Sequence, residues 1–398
     1  MKLTSIKESG KLAILGGKPV FNSLIPMVRP SLPPFKGIEN RLKETFSSGL
    51  VTNAKYVELL EKKIAQYLNV KHAVCVANCT LGLILGIKAL KLKGKIIVPS
   101  FTFCASVHAL IWNNLTPIFV DCHQETFNID LTSIEKYITK DTSAIMAVHI
   151  FGNPAQVEEL NKIAHKYSLK VIYDAAHAFG SSYKNKPLAG FGEMEVFSLS
   201  PTKVLVAGEG GIVATNNKRL ADEIRIGRDY GNPGNYNCEF VGLNARMLEI
   251  SAIIALENLE LLPERLVKRK KLINLYLDNL KNIPGISFQK IEKDSSSCYK
   301  DFAILIDPAK FGLDRNILAL VLEKENISSR KYFFPPVHKQ NAYEKEFIQE
   351  NLVNTNFISE HILCLPLYNH MKEKDILNIC QIIKKAYQYA PSIKEKLS

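Results

Sequence analysis

The feature that most constrains the fold is a regular alternation of short β-rich segments with amphipathic helical segments over residues 70–216. Seven segments have the composition of strands: 72–78, 95–100, 116–121, 143–150, 170–177, 195–200 and 210–216. Because neighbouring parallel strands need a helical crossover between them, the alternation predicts βαβ units and a largely parallel sheet covered by helices. Only a short loop separates the last two segments, which allows one of them to be antiparallel.

The pattern changes near residue 248. A long helical stretch, 248–283, contains Pro263, which predicts a bend or a break in the helix at that point. Strand-like segments at 286–291 and 302–307 follow, together with two further helical segments, so this region is predicted to form a smaller α+β domain. The predicted divisions are an N-terminal arm (1–30), a large domain (31–250) and a small C-terminal domain (251–398).

Composition narrows the class of protein. Hydrophobic residues make up 46% and charged residues 23% of the 398 residues, values typical of a globular chain with a sizeable core. The eight cysteines form neither a CxxC pair nor a zinc-type pattern, so we expect a reducing compartment, no disulfide framework and no metal site. The N-terminus lacks a signal-peptide core, and the longest uncharged stretch is short for a membrane span. These features predict a cytoplasmic protein without a membrane partner.

The net charge of +12 is compatible with anionic ligands. The lysines are scattered, however, and no stripe of basic and aromatic residues is present, so no nucleic-acid partner is expected. The densest basic run, 265–271, lies in helical sequence and is interpreted as a solvated helix face.

Side chains that can take part in catalysis or ligand binding follow several of the predicted strands. In an open α/β sheet, ligands bind beyond the carboxyl ends of the strands. The side chains placed there by the sequence are Thr80, Phe103, Asp174, His177, Ser198 and Lys203.

Together these side chains suit pyridoxal 5′-phosphate (PLP). A helix beginning near Thr80 offers backbone N–H groups to a phosphate, and Phe103 can lie against a planar ring. A carboxylate such as Asp174 keeps a ring nitrogen protonated, and Lys203 can form a Schiff base with an aldehyde. Each residue alone has a commoner explanation: a cap, a core aromatic or histidine, or an exposed lysine. The order of these residues, with Asp174 and Lys203 on successive strand ends, favours the cofactor site.

Longer motifs carry a family resemblance. The segments "PSFTF", "DAAHAFGSSYKNKPLAGFGEMEVFSLSPTK", "GEGGIVATN" and "GLNARMLEISAIIAL" follow one another as in the DegT/DnrJ/EryC1/StrS family of sugar aminotransferases, which nearly the whole chain resembles. The resemblance implies the α/β fold of type I PLP-dependent transferases. That fold has a large domain with a mostly parallel seven-stranded sheet and a smaller α+β C-terminal domain. It also implies a PLP-dependent aminotransferase.

The resemblance assigns roles around the cofactor ring. Lys203 matches the lysine that forms the Schiff base, and Asp174 matches the carboxylate that pairs with the pyridinium nitrogen. His177 corresponds to a polar residue close to the cofactor, and Phe103 to the aromatic residue that stacks on its ring. Some members of the family have histidine in place of this lysine and dehydrate sugars. Because this chain has Lys203, the resemblance argues against the sugar-dehydrating branch.

The resemblance also assigns a phosphate site. Thr80 and the backbone of Leu81 match the phosphate-binding turn, and Ser198 matches its hydroxyl partner. Asn244 matches an asparagine that reaches the phosphate of the neighbouring subunit, which implies a homodimer with shared active sites. The turn reads "NCTLG" instead of the commoner Gly-Thr or Ala-Thr followed by a small residue; the backbone role of Leu81 makes this departure tolerable.

The substrate is suggested by segments 12–30, 99–121 and 328–338. These are most similar to the family branch that aminates C4 of dTDP-4-keto-6-deoxyglucose, with L-glutamate as amino donor, in amino-sugar and polysaccharide biosynthesis. A 3-keto-sugar aminotransferase and a non-catalytic sensor that binds PLP or a nucleotide sugar are the alternatives. Predicted sugar-nucleotide contacts are Arg330, Tyr332 and His338, although a strand edge followed by a proline-fixed loop explains this stretch equally well.

Overall fold

The structure is a computed structural model that describes residues 10–344 and 351–397. Within those ranges the chain forms twelve β-strands and thirteen α-helices. The strands are β1 (His72–Val76), β2 (Lys95–Pro99), β3 (Thr116–Val120), β4 (Thr142–Val148), β5 (Lys170–Asp174), β6 (Ser182–Tyr183), β7 (Lys186–Pro187), β8 (Met194–Ser198), β9 (Gly211–Thr215), β10 (Ile286–Phe288), β11 (Phe302–Ile306) and β12 (Ile362–Leu365). The helices are α1 (Phe35–Ser48), α2 (Lys55–Leu68), α3 (Cys79–Ala89), α4 (Cys104–Ile111), α5 (Val157–Lys166), α6 (Lys218–Gly227), α7 (Glu249–Glu260), α8 (Leu262–Leu280), α9 (Pro308–Phe311), α10 (Arg315–Lys324), α11 (Val353–His361), α12 (Glu373–Gln388) and α13 (Ala390–Leu397). Short 3₁₀ helices lie at Ala13–Leu15, Leu131–Tyr137, Ile150–Gly152 and Val337–Lys339.

A seven-stranded mixed sheet, in the order β1-β9-β8-β5-β4-β2-β3, forms the centre of the larger part of the molecule. The pairs β8–β5, β5–β4, β4–β2 and β2–β3 are parallel, and β9 is antiparallel to both of its neighbours. The seven strands predicted from the sequence and the mostly parallel α/β architecture are confirmed. The antiparallel strand is the one that follows the short loop after β8.

Helices cover both faces of this sheet. In β1, Ala73 and Cys75 belong to one hydrophobic cluster, whereas Val74 and Val76 belong to another, because successive side chains of a strand point to opposite faces. Helices α2 and α7 contribute side chains to the first cluster, and α3, α4 and α6 contribute to the second. Because both faces of the sheet are buried, the sequence of each of these strands is a nearly continuous apolar run.

A second, antiparallel sheet in the order β10-β11-β12 shares a separate cluster with α8, α10 and α12. The N-terminal segment packs against it: Leu12 is buried in this cluster, and the carboxylate of Glu325 accepts hydrogen bonds from the N–H groups of Ala13 and Val20, each at 2.8 Å. Across the described ranges, no helix is both long and apolar enough to cross a bilayer.

The predicted helix break is confirmed, since α7 ends at Glu260 and α8 begins at Leu262, directly before Pro263. Proline is tolerated there because the first N–H groups of a helix have no intrahelical acceptor. Helix α7 belongs to the cluster of the large sheet, and most of α8 belongs to that of the small sheet. The domain boundaries at residues 30 and 250 remain proposals.

The interpretation of the basic run 265–271 as a solvated face is wrong for Arg269, which is only 6% exposed. Its guanidinium group donates hydrogen bonds of 2.6–2.9 Å to the carbonyl oxygens of Cys298, Tyr299 and Lys300. The guanidinium group can be buried because these carbonyl oxygens accept its hydrogen bonds. They lie about thirty residues further along the chain, so the local sequence does not reveal them.

Glu249 fixes the start of helix α2 from another helix. Its buried carboxylate accepts hydrogen bonds from the N–H groups of Ala54, Tyr56 and Val57 at 2.7–3.0 Å. The N-cap of α2 is Ala54, which has no side-chain acceptor of its own. A carboxylate that begins α7 therefore supplies the cap that the local sequence lacks.

We expect Glu249→Ala to lower the free energy of unfolding by about 3 kcal/mol or more, because three N–H donors, two of them buried, lose their acceptor. The matched control is Glu260→Ala, which removes an exposed ion pair with Lys63 at the far end of the same helix and should change stability by less than about 1 kcal/mol. Urea unfolding followed by circular dichroism measures both. Equal losses in the two variants would contradict the capping role.

Candidate active site

A cavity of about 810 Å³ opens at the carboxyl ends of β1, β2, β5 and β8. Five residues predicted from the sequence line it: Thr80, Leu81, Phe103, Ser198 and Lys203. The parallel arrangement of the sheet explains this convergence, because the segments that follow these strands emerge at one edge.

Lys203 lies in the loop between β8 and β9, where its backbone N–H donates to the carbonyl oxygen of Ser200 at 3.0 Å. Among the described residues, no side chain forms a hydrogen bond or ion pair with its amine. Burial and the nearby charge of Lys300 lower the pKa of Lys203 to about 8, although Asp301 and Asp174 oppose the shift. The amine is therefore neutral in a far larger fraction of molecules at physiological pH than an ordinary lysine.

Asp174 is the last residue of β5 and is 5% exposed. Its carboxylate accepts hydrogen bonds from the Ser106 hydroxyl at 2.6 Å and from the N–H of Ala176 at 3.0 Å. Burial raises the pKa of Asp174, and these two hydrogen bonds oppose the rise by favouring the charged form. Ala176 lines the cavity, so the carboxylate lies just behind its wall.

His177 is held by backbone and ring contacts. Its Nδ1 accepts the N–H of Phe151 at 3.2 Å, and its ring stacks with Phe151 and Phe333 at centroid distances of 6.1 and 6.2 Å. Burial, with the charges of Lys203 and Lys300, lowers the pKa of His177 well below its usual value. The imidazole is therefore neutral, and because Nδ1 accepts a hydrogen bond, its proton is on Nε2.

The first turn of α3 forms one end of the cavity, which Cys79 and Thr80 both line. The N–H of Leu81 donates to the side chain of Asn78 at 2.9 Å, so Asn78 is the N-cap and this N–H already has an acceptor. Ser198, at the end of β8, lines the same cavity. The phosphate roles of Thr80, Leu81 and Ser198 remain proposals.

Gly211 allows this helix start to lie against the sheet. A Cβ atom at position 211 would come within 2.5 Å of the carbonyl carbon of Asn78 and 2.6 Å of the nitrogen of Cys79. Only glycine permits that approach, which gives the "GEGG" segment a structural role beside the cavity.

Phe103 is the N-cap of α4, and its ring is 56% exposed. The ring lies 6.4 Å from that of Phe333, so its free face is available to a planar ligand. This position suits the expected stacking of Phe103 on the cofactor ring, which remains a proposal.

Six predicted residues do not line the cavity: Asp174 and His177, described above, and Asn244, Arg330, Tyr332 and His338. Asn244 is exposed, and Arg330 pairs through its backbone with Cys364. His338 is buried, with Nδ1 2.6 Å from the hydroxyl of Ser100, and burial lowers its pKa to about 4. Tyr332 is half-buried with its ring beneath the Lys300 ammonium group.

Sequence reasoning missed Ser106, Phe333, Lys300 and Asp301. Ser106 follows the recognised "PSFTF" motif by one helical turn, a position that predicts a side chain facing the same edge of the sheet. The pair at 300 and 301 directly precedes the apolar strand β11, and adjacent charges before a buried strand are a weak signal. Nothing local marks Phe333.

A profile of the DegT/DnrJ/EryC1/StrS aminotransferase family matches residues 36–384. The chain belongs to this family. It is 34% identical to the dTDP-4-amino-4,6-dideoxy-D-glucose transaminase of Escherichia coli over 363 residues, 90% of this chain and 98% of that one. It is 32% identical to the dTDP-3-amino-3,6-dideoxy-alpha-D-galactopyranose transaminase of Aneurinibacillus thermoaerophilus, covering 88% and 95% of the two chains. Among solved structures, DesI in the presence of its TDP-sugar product matches with a TM-score of 0.91 and 30% identity over 96% of this chain and 98% of that chain.

The chain is thus a PLP-dependent aminotransferase with the type I fold, as its sequence predicts. The residues present fit the cofactor, which carries a phosphate, a ring nitrogen and an aldehyde. Hydroxyl groups and a helix N-terminus lie at one end of the cavity, and a buried carboxylate lies behind its wall. Within the cavity lies an amine that no described side chain binds.

We expect Ser106→Ala to reduce kcat about tenfold or more, because a hydrogen bond to a charged group contributes roughly 1.5–3 kcal/mol. Loss of the hydroxyl also raises the pKa of Asp174, so the acid limb of kcat against pH should move to higher pH. Ser106→Thr keeps the hydroxyl and should restore both properties. An unchanged pH profile in Ser106→Ala would show that Ser106 does not act through Asp174.

Proposed function

We propose that this protein transfers the amino group of L-glutamate to a keto carbon of a nucleotide-linked keto-deoxy sugar, in amino-sugar and glycan biosynthesis. The favoured reaction is amination of C4 of dTDP-4-keto-6-deoxyglucose. The observation that carries the proposal is the placement of Lys203 in the cavity and of the buried Asp174 carboxylate just behind its wall, at the same edge of the sheet.

PLP supplies an aldehyde that condenses with primary amines and a protonated ring that accepts electrons from the adjacent carbon. In our proposal Asp174 holds the proton on the ring nitrogen, a role that its two hydrogen bonds favour by keeping the carboxylate charged. Lys203 Nζ removes the proton from Cα of glutamate and later delivers a proton to the sugar carbon. Its lowered pKa suits this task, since a base works best when its pKa lies near the working pH.

Binding of the cofactor is assigned to four residues that line the cavity and to His177, which directly follows the cavity residue Ala176. Thr80, the backbone of Leu81 and Ser198 are proposed to contact the phosphate. Phe103 is proposed to cover the ring, and His177 to lie beside it. The neutral Nε2–H of His177 fits a donor to an oxygen atom of the cofactor.

We also propose that the protein acts as a homodimer in which Asn244 of the partner subunit reaches the phosphate. Exposed apolar side chains near the cavity support a partner surface: Trp112 is 76% exposed and Val241 is 84% exposed, and both line the cavity. Exposed apolar surface often marks a site of contact with another protein, so these side chains suit a subunit interface.

Recognition of the sugar nucleotide is proposed to involve Arg330 and Tyr332. The exposed guanidinium group of Arg330 suits a diphosphate, because it presents paired donors. The buried contact of His338 with Ser100 instead suits an indirect role, in which His338 positions the loop that carries these residues.

C4 is favoured because the relatives from Escherichia coli and Shigella dysenteriae carry the name of a dTDP-4-amino-4,6-dideoxy-D-glucose transaminase. The relative named for a 3-amino sugar keeps amination at C3 as the second candidate. A sensor that only binds PLP or a nucleotide sugar is disfavoured, because it has no need of the Lys203 amine and the Asp174 carboxylate together.

The test offers dTDP-4-keto-6-deoxyglucose and its 3-keto isomer separately with L-glutamate, and locates the new amine by NMR. We expect amination of C4 with one 2-oxoglutarate released per amino sugar. Lys203→Ala is the control and should lower turnover about a thousandfold or more, since it removes the proton carrier. Amination of the 3-keto isomer alone would move the assignment to C3, and no reaction with either sugar would contradict the proposal.

A further inference from the structure

Two buried hydroxyl groups lie in series behind the carboxylate of Asp174. Thr102 directly precedes the N-cap of α4 and is 1% exposed, and Ser106 lies in the first turn of α4 and is fully buried. The side-chain oxygens of Thr102 and Ser106 are 2.9 Å apart, and Ser106 Oγ is 2.6 Å from Oδ2 of Asp174. The three side chains therefore form one continuous series of hydrogen bonds, the hydroxyl relay.

The hydroxyl relay lies behind the wall of the cavity. Phe103 and Ala105 line the cavity, whereas neither Thr102 nor Ser106 is among its lining residues. The two hydroxyl groups are thus placed to act on Asp174 and not on a ligand in the cavity. The N-cap of α4 is Phe103, so Thr102 does not occupy the position at which a hydroxyl group caps a helix.

The direction of the hydrogen bonds follows from the number of protons available. A charged carboxylate only accepts hydrogen bonds, and a serine hydroxyl carries a single proton, which Ser106 donates to Asp174. The contact between the two hydroxyl groups must then be a donation from Thr102 to Ser106. In such a series each bond polarises the next, so a hydroxyl group that accepts a hydrogen bond becomes a stronger donor.

We propose that Thr102 is a positioning residue for the transamination, which strengthens the hydrogen bond from Ser106 to Asp174 and so favours the charged carboxylate. The proposal rests on the role of Asp174 in the proposed function, since a charged carboxylate keeps the ring nitrogen of the cofactor protonated. Thr102 acts from two hydrogen bonds away and touches neither substrate nor cofactor.

Other titratable groups also face Asp174. Lys203, in the loop after β8, favours the charged carboxylate, and Cys79 of α3 has a thiol whose pKa burial raises well above its usual value. His177 follows Asp174 by three residues and is neutral, as described above. All three groups are retained in variants of the two hydroxyl residues, so differences among those variants report the hydroxyl relay.

The test measures the protonation of Asp174 directly, in the full chain freed of PLP. Protein made with aspartate that carries 13C in the side-chain carboxyl group is titrated from about pH 9 to the acid limit of the fold, and NMR follows the shift of each carboxyl signal. The signal that is lost in Asp174→Asn belongs to Asp174. Circular dichroism gives the pH at which each protein unfolds.

Thr102→Val removes the hydroxyl group with little change of shape and should raise the Asp174 midpoint by on the order of 0.3 pH unit, the part of the Ser106 bond that cooperativity supplies. Thr102→Ser keeps the hydroxyl group and should restore the wild-type midpoint. Ser106→Ala removes the bond itself and should raise the midpoint by about 1–2 pH units. If Thr102→Val does not fold, Thr102→Ala replaces it, because it also lacks the hydroxyl group.

The double variant that combines Thr102→Val with Ser106→Ala separates this role from a purely structural one. If Thr102 acts only through Ser106, its hydroxyl group is without effect once that of Ser106 is gone, and the double variant should have the midpoint of Ser106→Ala. Equal shifts from Thr102→Val in both backgrounds, or no shift in either, would overturn the proposal. So would a carboxyl group that stays charged in every variant down to the acid limit of the fold.

The outcome is independent of the substrate assignment. The titration contains neither sugar nor glutamate, so a wrong substrate leaves the four midpoints unchanged. Conversely, additive shifts would refute the role of Thr102 even if the wild-type protein aminates a keto sugar as proposed.

Discussion

The partial burial of one lysine side chain is the physical condition on which the site depends. Lys203 follows β8, Asp174 ends the neighbouring parallel strand β5, and the register places Asp174 opposite Val196. Two parallel strands therefore bring an amine and a carboxylate to one edge of the sheet. Lys203 is only partly exposed there, in a cavity that α3 and α4 also line, and burial with the charge of Lys300 lowers its pKa to about 8.

The buried side chains of Asp174 and His177 have defined hydrogen-bond partners. Ser106 and Ala176 bind the carboxylate of Asp174, and Phe151 binds Nδ1 of His177. Lys203 differs, since no described side chain pairs with its amine. Because Lys203 lines the cavity, a ligand bound there can reach this amine, which suits a lysine that holds an aldehyde cofactor.

The sequence was sufficient for features that depend on local pattern. The seven strands of the large sheet, the helix break at Pro263 and the strand-end side chains follow from periodicity, turn residues and the position of strand ends. The contacts of Arg269, Lys300 and Phe333 could not be predicted in this way, because their partners lie far along the chain. The burial of Arg269 shows the limit most clearly: its neighbours 268 and 270 are exposed, and only the carbonyl oxygens near residue 299 explain its position.

The central claim is that Lys203 is the residue that carries the cofactor. The most direct measurement is reduction of the PLP-loaded protein with sodium borohydride, followed by proteolysis and mass spectrometry of every lysine-containing peptide. The account predicts loss of the visible absorption band and a reduced PLP adduct confined to Lys203. An adduct on another lysine, or a folded protein that forms no adduct with added PLP, would contradict it.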